Sequence, residues 1–322
     1  MFSKISLYHS SRTSFDSAVT IYILIPVLVI PQLIMSGVVI SFDKFNPEVG
    51  KPNGIPVMGE LMASRWAFEA FMVTQFKDNP FEQPFYDLHQ KEAEADYKRT
   101  YLVPALESKL TYVLSQRAHW RDQSDKNISD AFDLLRNEIT YELAKVGTEN
   151  LPEVERLQTG KFDSTVYFKT KEFLSALRRY YAIRSNKAKE ERESLVAQLT
   201  DTPEKRQRYQ AFRLRYENES VTSMVENSNE TSRIVEWKGR LVQKFYPIYF
   251  KDHRPRNYFD FQSNFFVPTK YFMGRTFDTF YFNLTVIWFM TIFLFITLYF
   301  DVFKKLVHGF ETRRKYRRKN QV

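Results

Sequence analysis

The stretch Thr279–Phe300, TFYFNLTVIWFMTIFLFITLYF, runs for 22 residues without a charge. As a helix rising 1.5 Å per residue it reaches roughly 33 Å, against a bilayer hydrocarbon core of about 30 Å. A core helix of a soluble domain carries a polar stripe and stops after roughly 10 to 20 residues. The stretch is therefore expected to cross a membrane, within a segment drawn at 277–303. Near the other end, Ala18–Ile40, AVTIYILIPVLVIPQLIMSGVVI, gives 23 more uncharged residues, expected as a first crossing at 18–42. It outruns the roughly 7 to 15 residues of a signal-peptide apolar region, no A-x-A site follows it, and a second apolar run comes later, so retention is expected rather than cleavage.

Mean hydropathy of −0.42 and 26% charged residues would otherwise pass for a soluble protein, because the charge is segregated. The last 22 residues hold Lys304, Lys305, Arg313, Arg314, Lys315, Arg317, Arg318 and Lys319 against Asp301 and Glu311. Lys and Arg flanking a span stay on the cytoplasmic side, which assigns the tail 304–322 and, with two crossings, residues 1–17 to the cytoplasm of a bacterial inner membrane. The long middle then lies outside, in near charge balance. Aromatic residues for stacking on bases are few in the tail, Tyr316 alone lying within the basic run Arg313–Lys319; anionic lipid headgroups are the expected partner, at about 1 kcal/mol per basic residue, and nucleic acid is not.

The middle, 78–276, reads as mostly helical, making the fold mainly α. Phe132, Leu135, Ile139, Leu143 and Val146 step by three and four, with Gly147 where a helix would end. A second helix is expected from about Phe173, turning into the charge-rich run Arg184–Glu193 as a solvated, projecting segment. Asp201, Thr202 and Pro203, with Glu204 following, mark a helix start running to about Glu217. Residues 217–232 read as an exposed loop. At one end of the middle, 55–77 contains PVMGELMASRWAFEAFMVTQF (Pro56–Phe76), apolar except for a stripe of Glu60, Ser64, Arg65 and Glu69. Arg65 and Glu69 are four apart and can pair over one turn; the segment is expected to lie in, or re-enter, the outer membrane interface. At the other end Phe265, Phe266, Tyr271, Phe272, Phe277, Phe280 and Tyr281 crowd the approach to the last span, as an aromatic belt does.

Pro26 and Pro31 each remove an amide donor from the first apolar run, and Ser36-Gly37 is a small-residue break near its end. Helices of transport bundles tolerate such breaks where neighbours or water take up the freed carbonyls. The run Pro31-Gln32-Leu33-Ile34-Met35-Ser36-Gly37, followed by Ser64-Arg65-Trp66-Ala67-Phe68-Glu69-Ala70 and Gln75-Phe76, resembles the fifth-helix region of type-2 ABC exporter permeases of the G subfamily. The likeness is close over about 60 residues and otherwise one of layout. It implies the C-terminal portion of a permease, with Pro26, Pro31, Ser36 and Gly37 permitting bending near an outer gate and Arg65, Trp66 and Glu69 holding the re-entrant segment. The enlarged external part departs from the short loop of eukaryotic members and looks like a bacterial variant.

Such an exporter joins an ATPase domain to six spans, and two are expected here. The phosphate-binding motif G-x-x-x-x-G-K-[ST] does not occur; Gly160-Lys161 is followed by Phe162. The resemblance therefore implies that ATP binds a separate domain or subunit, that the partners are an ATP-binding cassette, the remaining permease helices and a second permease half, and that this chain is a fragment or an assembling part. No catalytic, cofactor or metal residues are expected within it. Zero cysteines exclude disulfides and thiolate metal sites. The five histidines are scattered, and His89 with Glu92 or His119 with Asp122 reads as a solvated helix face. Asn127, Asn218 and Asn229 begin glycosylation-type triplets, and Asn283 begins one inside the last span, where it cannot serve. Two other classes remain: a two-span scaffold or polysaccharide co-polymerase-like protein, which a straight first span would favour, and a sensor, for which the tail is too short an output module.

Overall fold

The computed structural model of the protein describes residues 18–38, 42, 54–117, 120, 125–255, 257–261 and 264–300. It is mainly helical. In chain order the helices are α1 (Ala18–Ile34), α2 (Val57–Glu60), α3 (Ala63–Lys77), α4 (Tyr86–Tyr97), α5 (Val103–Ser115), α6 (Lys126–Val146), α7 (Ser164–Leu199), α8 (Pro203–Tyr216), α9 (Glu219–Glu226) and α10 (Thr279–Tyr299). Two antiparallel hairpins, β1–β2 (Ile234–Trp237, Arg240–Gln243) and β3–β4 (Thr269–Phe272, Arg275–Asp278), complete the described elements. The described residues form two compact units: one contains α1, α2, α3 as far as Phe71, and α10; the other runs from Met72 to Asp278 and includes Gly54 and Ile55.

The larger unit is built on α4 to α7. On α6, Ile128, Phe132, Leu135, Ile139 and Leu143 are buried and Val146 packs at the edge of the same core, the face that the sequence spacing marks out. Asp125 caps its start, accepting from the amides of Asn127 (3.0 Å) and Ile128 (3.3 Å), and Gly147 (φ +106°) ends it, donating to the Leu143 carbonyl at 2.8 Å. Between α4 and α5 lies one π-helical turn, Lys98–Leu102. Pro104 explains it: with no amide to return to the Thr100 carbonyl, the chain takes a wider turn, and the Val103 amide bonds back to Lys98.

Helix α7 starts earlier than expected, at Ser164, where Asp163 accepts from the Val166 amide at 2.9 Å, and its 36 residues make it roughly 54 Å long. The run Arg184–Glu193 does not project. It lies along α4, with Arg184 at 3.5 Å from Glu94, Lys189 at 3.2 Å from Asp96 and Arg192 at 3.6 Å from Glu92. Ser185, buried on α7, donates to Asp96 of α4 at 2.7 Å along the same contact. Thr202, rather than Asp201, caps α8, accepting from the Lys205 amide at 3.3 Å.

Residues 217–232 are not simply an exposed loop. Asn218 caps α9 through the amides of Ser220 (3.1 Å) and Val221 (3.2 Å), and Val221 and Val225, one turn apart, are buried. Both hairpins turn on two residues with positive φ, Lys238-Gly239 (+48°, +71°) and Met273-Gly274 (+48°, +78°). That is the backbone sense of a tight two-residue hairpin, where Asn-Gly or Asp-Gly is the usual signal. Of the expected aromatic belt, Phe266 is buried, Tyr271, Phe272 and Phe277 sit on β3–β4, and Phe280 and Tyr281 begin α10.

Because Val225 is buried against the larger unit, Val225→Ala should destabilise that unit by about 2 kcal/mol. Urea unfolding of the full chain in detergent, followed by circular dichroism, checks this; a change near zero would return the segment to a surface loop.

Candidate functional site

In the smaller unit the polar residues of α2, α3 and α10 converge. Arg65 and Glu69 project from one side of α3 and are both fully buried, with Arg65 Nη1 at 3.4 Å from Glu69 Oε2. Glu60, at the end of α2, brings a second carboxylate to 3.6 Å from Arg65 Nη2. The guanidinium lies over the indole of Trp66, 3.8 Å from the ring centroid. Two anions and a π face around one delocalised cation suit Arg better than Lys, whose point charge cannot present a planar fork.

Residues 56–76 do not form one continuous helix. The chain breaks at Leu61-Met62, and Trp66 Nε1 donates to the Glu60 carbonyl at 2.9 Å, taking an acceptor that an unbroken helix would give to the Ser64 amide. The break swings Glu60 toward Arg65.

A residue with no assigned role in the sequence closes the cluster. Asn283, one turn into α10 and fully buried, donates through Nδ2 to Glu69 Oε2 at 2.9 Å and to the Trp66 carbonyl at 3.0 Å. Thr279, one turn earlier on the same side, is buried too, and the Phe282 ring lies 6.1 Å from that of Trp66. The available signal was a lone strong hydrogen-bonding side chain in an apolar run, which marks a helix contact or a functional position. The rest of α10 is open: Trp288, Phe289, Phe293, Phe295 and Tyr299 are all exposed. It is long and apolar enough to cross a membrane, and a soluble core helix would be mostly covered.

Helix α1 joins the same unit through Ser64 Oγ, which donates to the Gln32 carbonyl at 2.7 Å. Pro26 and Pro31 lie within α1. Ser36 and Gly37 end it: the Ser36 hydroxyl donates to the Leu33 carbonyl at 2.7 Å and accepts from the Val38 amide at 3.2 Å, while Gly37 takes φ +84°. The regular helix is therefore 17 residues, roughly 25 Å, and the Ser-Gly pair lies in the turn that follows it. The tail residues Lys304, Lys305, Arg313, Arg314, Lys315, Arg317, Arg318 and Lys319, and the segment 1–17, lie outside the described residues.

The larger unit holds its own buried ionic cluster at the π-helical turn. Lys98 Nζ lies 3.1 Å from Glu142, 3.3 Å from Glu94 and 3.1 Å from the Tyr181 hydroxyl, which itself bonds Glu142. Asp252 takes Lys145 at 2.7 Å and the Tyr141 hydroxyl, and Arg254 reaches Glu138 at 2.8 Å while lying 3.6 Å over the Tyr141 ring. Burial pulls the Lys98 ammonium down, but Glu142, Tyr181, Asp252 and Glu94 outweigh it and hold the charge above the usual lysine range. Burial likewise raises Asp252, yet Lys98 and Lys145 prevail and lower it. His89 bonds Glu82 at 2.6 Å rather than facing Glu92. No group of three or more His, Cys, Asp or Glu among the described residues could hold a metal ion.

Comparison with family models, with curated proteins and with solved structures finds no match to this chain.

Removing the cation while both carboxylates stay buried is the costly change. Arg65→Leu should destabilise the smaller unit by about 3 to 5 kcal/mol, and Arg65→Leu with Glu69→Leu should recover part of that loss; thermal unfolding in lipid nanodiscs measures both. In the larger unit, a lowered carboxylate is a stabilising one whose contribution is complete above the ordinary value of 3.8 and fades as pH falls below it. Asp252→Asn should therefore be less stable than the parent at neutral pH and show a flatter decline below pH 3.8, in urea titrations over an acid series.

Proposed function

We propose that the chain is the C-terminal membrane-spanning portion of an ATP-driven exporter permease, with α1 and α10 in the bilayer, α3 entering its outer face, and residues 78–276 outside the cell. The observation that carries this reading is the ion pair Arg65–Glu69, fully buried and tied by Asn283 to a helix that is otherwise exposed and apolar. A buried charge cluster costs several kcal/mol to desolvate, and in a membrane protein such groups face other helices and stand at moving or conducting positions. An inert anchor has no use for them. The short α1, with Pro26 and Pro31 inside it and Ser36-Gly37 at its end, supports the same reading, since a short or interrupted helix is where transport bundles change shape.

In this mechanism ATP, bound by a partner cassette, closes the cassette dimer, and the helices it drives swing between inward and outward access. Arg65, Glu60, Glu69 and Asn283 hold α2, α3 and the start of α10 as one rigid block, and the end of α1 at Ser36-Gly37 is the pivot beside it. The basic tail fixes the cytoplasmic end of α10 against anionic lipid.

The cysteine-free chain permits a direct test. In native membranes, Val38→Cys should react with a thiol reagent at a rate that changes several-fold when ATP and vanadate trap the cassettes closed, while Ser228→Cys is labelled from outside intact cells and Ser3→Cys is not. Equal protection at positions 228 and 3 would overturn the two-span arrangement. A Val38→Cys rate indifferent to nucleotide would leave a two-span scaffold instead of a permease.

A further inference from the structure

Within the larger unit, the loop 257–261 and the tip of β3–β4 make one apolar surface. Gly274 is the point of contact: a Cβ there would come 2.6 Å from Tyr258 Cε2, so the absent side chain lets the Tyr258 ring lie against the turn. The Phe261 and Phe272 rings, 6.2 Å apart, join loop and strand again. What this surface presents is aromatic and thioether: Phe259 is 74% exposed, Tyr258 59% and Met273 42%, with Phe272 and Phe277 exposed beside them. Met273 holds positive φ at the very tip, a position that Asn, Asp or Gly fills without strain; the chain accepts a poor turn former and displays an apolar side chain there. Arg275, the next residue but one, is exposed as well.

Chain connectivity says what lies nearby. Asp278 ends β4 and Thr279 begins α10, so Met273 is six residues from a helix long and apolar enough to cross a bilayer, at most about 20 Å of extended chain. A tyrosine with an apolar ring and a polar tip, exposed phenylalanines, an unbranched thioether and one cation match the boundary between hydrocarbon and headgroups, where Tyr rings sit, apolar side chains enter and Arg meets phosphate. We propose that this loop and hairpin tip form a lipid-docking surface that inserts Tyr258, Phe259 and Met273 into the interface of the leaflet from which α10 emerges. The insertion fixes the larger unit to the membrane at a second point besides its covalent link to α10. It rests on α10 spanning the bilayer and not on the nature of any transported substrate.

Single nitroxide labels in the full chain, reconstituted into vesicles of equal parts phosphatidylcholine and phosphatidylglycerol, test it. Labels at Phe259→Cys and Met273→Cys are compared with Phe293→Cys within α10 and Lys187→Cys on the exposed side of α7, by collision rates with oxygen and with a water-soluble nickel chelate. The expected oxygen-to-nickel ratios at 259 and 273 are several-fold above that at 187 and below that at 293. Ratios at 259 and 273 equal to that at 187 would overturn the proposal and leave the span intact. Shielding from both reagents with spin coupling between copies would also overturn it, in favour of a second chain as the occupant. A water-like ratio at 293 would remove the span itself, and the docking surface with it.

Discussion

An arginine with no access to solvent constrains everything around it. A guanidinium cannot lose its proton at any ordinary pH, so Arg65 must keep its charge wherever the fold puts it. Its surroundings are arranged accordingly: Glu69 one turn along, Glu60 brought in by a break in the helix, Trp66 beneath the plane, and Asn283 fastening the far side of Glu69. Each of these four groups comes from a different place in the chain or a different local geometry. Glu60 reaches Arg65 because α2 stops before α3, and Asn283 because α10 starts one turn before it. The break at Leu61-Met62 and the register of α10 bring Glu60 and Asn283 to the cluster around this one charge.

The larger unit solves the same problem differently. Lys98, Glu142 and Tyr181 meet at the one described π-helical turn, and Pro104 is what widens that turn. The wider turn does not follow from the ion pair; it follows from a missing amide. The cluster is buried by α6 and α7, whose apolar faces make the largest contributions to the core, and closed by Asp252 from the segment after β2. A buried network of this kind is a weak source of stability and a strong source of uniqueness, because any slip of α6 against α7 would strand a charge.

Much of this was legible in the amino-acid order. Period-three-and-four apolar spacing placed α6, and Thr202 before Pro203 placed α8; these signals are local and depend on few distant contacts. The pairing of Arg65 with Glu69 was also local, four residues on one helix. What was missed needed the third dimension. Asn283 stands out in a linear reading as a polar residue in an apolar run, but its partners, more than two hundred residues away, cannot be read there. The charged run of α7 reads as solvated because its counter-ions belong to α4, ninety residues earlier. α9 is only eight residues, with two buried valines among polar ones, too short for periodicity to speak. The hairpins turn on Lys-Gly and Met-Gly, where the familiar signal is Asn-Gly, and the first helix ends at Ile34, inside the apolar run, with Ser36 bonded to its last turn and Gly37 at positive φ.

The central claim is that Glu69 and Asn283 act as one unit with Arg65, joining α3 to α10. A double-mutant cycle of Glu69→Gln and Asn283→Ala, read by unfolding in lipid nanodiscs, measures that directly. The account requires a coupling energy of about 1 kcal/mol or more between the two positions. Effects that simply add, to within about 0.3 kcal/mol, would mean that the two side chains do not depend on each other and that α10 is held by something else.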